Sequence, residues 1–239
     1  RQMCIRDSTY SVDASEAKGI SFGQRYISYA GHAAQYKKIT VKEAGKLTIK
    51  SNEYNSLSEV YDTQLVNTNG DYFTLCNAKK KELTSASSST TNKCYGVKKG
   101  TYYIKMSRTY YDYRVYSVSF KKAGTPTNTK KKTAKTVTKK LQSYVLTSES
   151  SATQWYKFTL KKAKRMKFYI NNQTDDRLRI EIQKKGDSAS VLYVDKNDYT
   201  NIQRTNYGKV TKWEKGTYYV KITKYYTSNT GGIVQVKLK

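Results

Sequence analysis

Apolar and polar side chains alternate over short stretches of this chain, and glycine-containing turns separate the stretches. In residues 99–106, Tyr102 and Ile104 fall on one side of the alternation, and Tyr103 and Lys105 fall on the other. A period of two residues is typical of a β-strand that buries one face. Because Lys105 indicates which face is exposed to solvent, the pattern predicts that Tyr102 points into a core and Tyr103 points outward.

The same stretch occurs a second time. Residues 99–106 read KGTYYIKM, and residues 215–222 read KGTYYVKI. Residues 35–49 also match residues 154–168 without a gap, with apolar positions kept apolar and polar positions exchanged. A repeat of this kind indicates two copies of one module, which share a core and differ in surface. Tyr218 is then the inward tyrosine of the second copy.

Two hairpins are predicted in each module. Residues 36–41 and 46–50 alternate on either side of a glycine-containing turn, which is typical of a β-hairpin. The inward residues of the first would be Ile39, Val41, Leu47 and Ile49. The second hairpin would surround a Gly-Asp pair and join residues 61–66 to 72–76 in one module and 178–182 to 191–194 in the other. Short strands, glycine turns and no helical period predict an all-β fold of two tandem antiparallel β-sandwich domains of jelly-roll type.

Both ends of the first module have a distinctive composition. Residues 1–8 match the translation of a transposase sequencing adaptor and are set aside as non-native, so we expect any signal peptide to be missing with the natural N-terminus. Residues 124–140 hold the only proline, many lysines and no acid, which predicts an extended, self-repelling linker. The predicted order is therefore a non-native segment at 1–8, a disordered lead-in at 9–19, the first sandwich at 20–123, the basic linker at 124–140 and the second sandwich at 141–239.

The charge of the chain narrows the classes of partner. Lysine and arginine number 45 against 18 aspartates and glutamates, which gives a formal net charge of +27. Such a field favours anionic partners such as wall polymers, acidic glycans, acidic lipids or nucleic acid, with affinity that falls as salt rises. No apolar run is long enough to span a membrane.

Tyrosine is the most suggestive residue type, with 24 copies. In both modules tyrosines and cations follow the Gly-Thr-Tyr-Tyr strand, where the chain turns back: Arg108, Tyr110, Tyr111, Tyr113 and Arg114 in the first, and Lys224, Tyr225 and Tyr226 in the second. Exposed rings could stack on sugars or pack on a protein strand while the cations meet acidic groups. The alternative is that these tyrosines merely cover the end of the sandwich.

Cys76 and Cys94 align with Leu192 and Val210, which are apolar positions of the second module. They are therefore either buried free thiols or the two halves of a disulfide. A disulfide closing this loop would stabilise the module by about 3 kcal/mol. Under both alternatives the role is structural.

Candidate catalytic chemistry is scarce. His32 is the only histidine, no Gly-x-Ser-x-Gly nucleophile motif occurs, and one histidine with two native cysteines falls short of a zinc site. We therefore expect no catalytic site, no cofactor and no metal.

The second module carries a family likeness. Trp155-Tyr-Lys-Phe-Thr-Leu, Leu178-Arg-Ile-Glu-Ile, Lys185-Gly-Asp and then residues 215–222 with a closing strand resemble the bacterial pre-peptidase C-terminal domain. The likeness covers residues 141–239 and, more weakly, 20–122. It implies secreted jelly-roll modules attached to proteases and other exported enzymes.

The sequence departs from that family at the calcium ligands. Family members that bind calcium use acidic loop residues, and here Asp175-Asp176 is the one adjacent acidic pair. Calcium takes six to eight oxygen ligands, so a calcium site is not expected.

Taken with the charge, the resemblance predicts a non-catalytic accessory region of a secreted bacterial protein, recovered as a metagenomic fragment. It would act at the cell surface or outside the cell and attach its parent to an anionic cell wall, glycan or extracellular protein. The alternative is a nucleic-acid-binding protein acting through basic charge. Proteins that recognise a DNA sequence favour bidentate contacts from arginine to the bases, and proteins that bind single strands need a basic channel lined with aromatic residues. Here only nine of the 45 basic residues are arginine.

Overall fold

The fold is all-β, as predicted. In the computed structural model of this protein the described residues are 6–7, 19–30, 35–53, 72–83, 92–107, 112–149, 151–226 and 230–239. Within them almost every strand pair is antiparallel, and the only helix is a single 3₁₀ turn at Lys131–Thr133. None of the described segments forms a helix that could cross a membrane.

The first half of the chain forms two sheets around one core. Its strands are β1 (Arg6–Asp7), β2 (Arg25–Ala30), β3 (Gln35–Val41), β4 (Gly45–Glu53), β5 (Tyr72–Asn77), β6 (Asn92–Val97), β7 (Gly100–Ser107) and β8 (Asp112–Lys122). One sheet has the order β1-β2-β8-β4-β6, and the other has the order β3-β7-β5. Leu47 and Val118 from the one meet Ile39, Leu75 and Ile104 from the other in a single buried cluster.

The second half repeats this arrangement. Its strands are β9 (Lys135–Thr136), β10 (Gln142–Leu146), β11 (Thr153–Leu160), β12 (Phe168–Thr174), β13 (Leu178–Lys184), β14 (Ser190–Val194), β15 (Tyr199–Ile202), β16 (Thr205–Asn206), β17 (Lys209–Val210), β18 (Gly216–Lys224) and β19 (Gly232–Leu238). The sheets are β10-β19-β12-β15 and β14-β13-β18-β11-β9, with β16 and β17 as a separate pair. Phe158, Phe168 and Val220 belong to the core between the sheets.

The alternation correctly predicts which residues of these strands point into the core. Ile39, Val41, Leu47 and Ile49 are all buried. Tyr218 is buried in the second core, while Tyr219, the next residue, is only half-buried. Aromatic packing fixes that inward tyrosine, since its ring lies 5.0 Å from the ring of Phe158 and 5.1 Å from that of Trp213.

The first predicted hairpin is wrong in both halves. β3 pairs with β7 and β4 pairs with β8 and β6, so the turn after Val41 carries the chain from one sheet to the other. β11 and β12 are divided between two sheets in the same way. β3 and β4 each bury one face. Two strands in facing sheets bury that face against the same core as two neighbouring strands of one sheet do, so the alternation does not distinguish the two arrangements.

The second predicted hairpin is correct where the structure describes it. β13 and β14 pair antiparallel from Leu178 opposite Val194 to Ile182 opposite Ser190. Gly186 in the connecting turn has φ of +97°, a conformation that glycine adopts without strain. Its proposed counterpart joins 61–66, which lie outside the described residues, to 72–76, which belong to β5. Because β5 pairs with β7 as β13 pairs with β18, β5 corresponds to β13 and not to β14 as the predicted match requires.

Residues 124–140 dock on the second sandwich and do not form the free, self-repelling linker that their composition predicts. β9 pairs in parallel with β11, and Val137 is buried in the second core. Asn128 is buried as well, where its Nδ2 donates to the carbonyl oxygen of Trp155 at 2.9 Å and its own carbonyl accepts from Trp155 N at 2.7 Å. Most lysines of the segment are exposed, and Lys131 and Lys135 lie over aromatic rings of the second sandwich. The division into two domains itself stays a prediction.

The two sandwiches meet at the free edge of β6. Gly96 donates its N–H to Ser148 Oγ at 3.0 Å and accepts from Ser148 N at 3.1 Å. Cys94 accepts from Gly231 N at 3.1 Å, and its own N–H donates to the Asp175 carboxylate. An edge strand that would otherwise expose unpaired backbone groups is therefore covered by the second sandwich.

Both described cysteines are buried and free. Cys94 Sγ lies 3.4 Å from Thr48 Oγ1, and burial raises the pKa of its thiol. Burial also raises the pKa of Cys76, to about 11. The strand register corrects the alignment used above: Cys76 lies opposite Tyr103 as Gln183 lies opposite Tyr219, so Gln183 rather than Leu192 is its counterpart.

Arg6 and Asp7 form β1, which pairs in parallel with Tyr26 and Ile27 of β2. Gly19, at the end of the expected lead-in, bridges to Lys38. The adaptor origin of residues 1–8 stays a prediction, and His32 lies outside the described residues.

Candidate functional site

Three tyrosines lie together at one end of the second sandwich. Tyr225 and Tyr226 follow β18 directly, and Tyr193 lies on β14. Their side chains are 44%, 58% and 42% exposed, respectively. The rings of Tyr225 and Tyr226 are edge-to-face at 4.7 Å, and those of Tyr193 and Tyr225 are edge-to-face at 5.0 Å.

Arg177 lies against two of these rings. Its guanidinium carbon is 4.8 Å from the ring centre of Tyr193 and 5.4 Å from that of Tyr225. Arg177 Nε also lies 3.0 Å from Asp195 Oδ1, in an ion pair without the alignment of a hydrogen bond. We call Arg177, Tyr193, Tyr225 and Tyr226 the tyrosine cluster. It offers exposed ring area with a cation held beside it, an arrangement that suits a polar or anionic ligand with an apolar face.

Backbone contacts place the cluster. Tyr225 N donates to the carbonyl oxygen of Arg177 at 2.7 Å, and Tyr226 N lies 3.4 Å from Asp176 Oδ1. These contacts bring the end of β18 beside the loop that precedes β13. The rings are therefore attached to the sheet end through the main chain, and each ring remains partly exposed.

The outer face of the same sheet continues the surface away from the cluster. Lys221 lies between Glu181 and Trp155 in the strand register, and Lys221 Nζ is 5.9 Å from the ring centre of Trp155. Lys131 crosses over from the 3₁₀ turn, with Nζ 4.7 Å from the ring centre of Tyr219 and 5.9 Å from that of Trp155. The predicted outward position of Tyr219 is thus part of a face of aromatics and lysines.

Lys224 does not belong to this surface, contrary to the sequence-based prediction. It is buried, and its Nζ donates to the carbonyl oxygens of Thr230 at 3.0 Å and Ser148 at 3.3 Å. Burial lowers the pKa of Lys224 to about 8, and the carboxylates of Asp176 and Glu149 oppose that shift. The alternation already contained this signal, because Lys224 continues the inward series of Tyr218, Val220 and Ile222.

The other predicted residues belong to the first half. Arg108, Tyr110 and Tyr111 lie outside the described residues. Tyr113 and Arg114 belong to β8, where they lie opposite Tyr29 and Ser28 of β2. The structure therefore brings together only Tyr225 and Tyr226 of the predicted set.

Sequence reasoning missed Arg177, Tyr193, Trp155 and Lys131. Tyr193 could have been found from parity, because β14 alternates Val191 and Tyr193 outward against a buried Val194. No local pattern places Arg177 beside Tyr225, since the two are far apart in sequence and meet only through the pairing of β13 with β18.

Within the described residues no group of three or more histidine, cysteine, aspartate or glutamate side chains could hold a metal ion. Asp175 and Asp176 instead lie beside buried lysines, as the shifted pKa values of Lys93 and Lys224 reflect.

No protein-family model matches this sequence, and no curated protein does. Solved structures show a low similarity. The pre-peptidase C-terminal domain of collagenase from Bacillus anthracis is 17% identical, with 44% of this chain and 94% of that chain covered and a TM-score of 0.35. The mosquito-larvicidal Cry4Aa toxin from Bacillus thuringiensis is 6% identical, covering 89% and 58%, with a TM-score of 0.26. The isomalto-dextranase of Arthrobacter globiformis T6, complexed with panose, is 7% identical, covering 89% and 36%, with a TM-score of 0.21.

The first of these structures belongs to the family that the sequence resembles. At these identities and TM-scores, none of the three indicates what this chain binds.

Proposed function

We propose that this chain is a non-catalytic accessory or binding region of a secreted bacterial protein, related to pre-peptidase C-terminal domains. It attaches its parent to an anionic cell wall, glycan or extracellular protein surface. The observation that carries the proposal is the tyrosine cluster, in which exposed rings and a guanidinium lie on a strongly basic molecule. Aromatic and arginine side chains are the types that most often dominate binding energy at protein surfaces.

The neighbouring sheet face supports the same function. Trp155, Tyr219, Lys131 and Lys221 extend the aromatic and basic surface across the strands beside the cluster. Glu181 is the acidic residue within that face, and it is neutralised by Arg179 at 3.1 Å and by Lys221 at 3.5 Å. An anionic ligand would therefore meet little repulsion there.

The test is a binding assay on purified cell wall with the double variant Tyr225→Ala/Tyr226→Ala. We expect affinity to fall at least about thirtyfold, because two tyrosine hot spots that contribute more than about 1 kcal/mol each sum to more than about 2 kcal/mol. The melting temperature should hardly change, since surface substitutions usually stay within about 0.5 kcal/mol. The matched control is Tyr207→Ala, which removes a ring that is 98% exposed on a separate two-residue hairpin.

Three results would contradict the proposal. A double variant that is folded and binds as before would show that charge alone causes binding. An unfolded double variant would show that the two tyrosines are structural. Tighter binding to DNA than to wall polymer, at matched charge density and salt, would favour the nucleic-acid alternative that the net charge of +27 permits.

A further inference from the structure

A second polar and aromatic surface lies on the other sheet of the second sandwich. The inward residues of β12 and β19, such as Ile170 and Val236, are buried. Outward positions carry amides, a tyrosine and a lysine instead: Tyr169 lies opposite Lys237, and Asn171 lies opposite Gln235. All of these outward side chains are half-buried and open to solvent on one side.

Three amides on this face form a continuous row. Gln235 Oε1 accepts from Asn171 Nδ2 at 3.1 Å and from Gln173 Nε2 at 3.0 Å. Gln173 Oε1 accepts from Lys121 Nζ at 2.9 Å, and Lys121 belongs to β8 of the first sandwich. We call Asn171, Gln235 and Gln173 the amide row.

These contacts orient the amide row and leave part of its hydrogen-bonding capacity unused. Gln235 Oε1 is used twice, but within the described part of the chain Gln235 Nε2 donates to no protein group. Each amide of the row combines a planar donor and acceptor, which are held by neighbours instead of rotating freely. The row is thus a pre-oriented polar strip with unused donors, which lowers the entropy cost of binding a ligand.

A tyrosine pair borders the row. The rings of Tyr169 and Tyr199 are 6.2 Å apart, and Tyr199 is 62% exposed. Lys239 Nζ lies 4.3 Å and Lys237 Nζ lies 5.4 Å from the ring centre of Tyr169. Tyr199 therefore offers an open ring next to Tyr169, and the two ammonium groups lie over the ring of Tyr169.

We propose that this face is a second binding site, specific for a polysaccharide that carries carboxylate groups, such as a uronic-acid polymer. Sugar hydroxyls both donate and accept hydrogen bonds, as the side-chain amides do. The apolar side of a sugar ring can pack on Tyr199, and Lys121, Lys237 and Lys239 supply charges for the carboxylates. The carboxylates next to the strands of this face are already engaged with backbone groups. Asp198, just before β15, accepts from Tyr199 N at 2.7 Å, and Asp175, just after β12, accepts from Cys94 N.

The shape of the surface favours a glycan over the other partner classes. A peptide strand would add to a sheet edge, whereas this is a sheet face whose backbone groups are already paired. Four strands contribute, so the face extends over about 14 Å at the usual strand spacing. That length accommodates several sugar rings in a row. Lys121 joins the first sandwich to the site, so its full form requires both halves of the chain.

The experiment measures binding of the whole chain to polygalacturonate by affinity electrophoresis, with dextran as the neutral polysaccharide. Polyglutamate in excess supplies carboxylates without sugar rings or hydroxyls. We expect binding to polygalacturonate that survives the polyglutamate and exceeds binding to dextran. Tyr199→Ala and the double variant Asn171→Ala/Gln235→Ala should each weaken it at least tenfold, and the control Tyr207→Ala should not.

Two outcomes would overturn the proposal. One is complete displacement by polyglutamate, which would reduce the interaction to charge. The other is a folded Tyr199→Ala protein that binds polygalacturonate like the wild type; this variant keeps the test valid if the amide variant fails to fold, because the ring is mostly exposed. The proposal does not depend on Tyr225 or Tyr226, so loss of wall binding in the double tyrosine variant would leave this result unaffected.

Discussion

Replacing Gly96 by alanine should separate the two sandwiches. A Cβ atom at this position would lie 1.9 Å from the carbonyl oxygen of Leu146 and 2.7 Å from its carbonyl carbon. Both are backbone atoms of β10, so no side-chain rotation can relieve the overlap. The edge of β6 must therefore move away from the second sandwich.

The cost follows from the hydrogen bonds that cross this contact. Ser148 N to Gly96 O, Gly96 N to Ser148 Oγ and Gly231 N to Cys94 O measure 3.0–3.1 Å. Each such bond contributes about 0.5–1.5 kcal/mol net, so the loss of all three should lower the free energy of unfolding by about 1.5–4.5 kcal/mol. The Asp175 carboxylate would also lose its contact with Cys94 N.

Urea denaturation measures this free energy, and cysteine alkylation reports on the place of the change. Gly96→Ala should lower the denaturation midpoint and make Cys94 react faster with iodoacetamide, while Cys76, in the other sheet, keeps its slow rate. Gly19→Ala is the matched control, because a Cβ there meets nothing within 4 Å. A Gly96→Ala protein with a change below about 0.5 kcal/mol and unaltered Cys94 reactivity would refute the contact between the sandwiches.

Three further predictions concern buried groups. Because the pKa of Lys224 falls from 10.5 in the unfolded chain to about 8 in the fold, the unfolded state binds more protons at this group between these values, so the contribution of Lys224 to stability should rise from pH 8 to 10.5. Cys76, whose pKa is raised to about 11, contributes with the opposite sign, so the Lys224 contribution is measured as the difference between thermal melts of the wild type and of Lys224→Met. Cys76 and Cys94 should resist alkylation at pH 8 until the chain is denatured, and a Cys76–Cys94 link in non-reducing peptide maps of oxidised protein would contradict the free thiols. Limited trypsin digestion should spare residues 124–140, because Asn128 and Val137 are buried. If trypsin cut first within this segment, the result would support the free linker that the composition predicts.

The sequence predicts the strands and their inward faces well because these depend on local alternation. Ile39 and Ile49 are buried as expected, and the repeated strand places Tyr218 inside and Tyr219 outside. Sheet membership is not local. β3 pairs with β7 and β4 pairs with β8, and these partners lie far apart in the sequence. The turn after Val41 could have the same composition in a hairpin as in a connection that crosses from one sheet to the other.

The candidate site was predictable only in part for the same reason. Tyr225 and Tyr226 follow a recognisable strand, and their exposure agrees with the expectation. Composition predicts solvent exposure for Lys224 and for residues 124–140, but Lys224 is buried and the segment docks on the second sandwich. A single anchoring residue such as Val137 outweighs several exposed lysines, since the lysines need not leave water when the backbone docks.

The acidic residues at the junction explain how so basic a chain brings its halves together. Asp175 interacts with the buried ammonium of Lys93, and Asp176 with that of Lys224, while burial lowers the pKa of both lysines. Asp175 and Asp176, the one adjacent acidic pair of the sequence, thus balance buried ammonium groups. The chain has only 18 acidic residues, and two of them lie at the junction. Fewer acids therefore remain to neutralise the lysines on the outer sheet faces, and these lysines can interact with a partner. Salt should therefore weaken ligand binding strongly and the junction only slightly, since screening acts mainly on exposed charges.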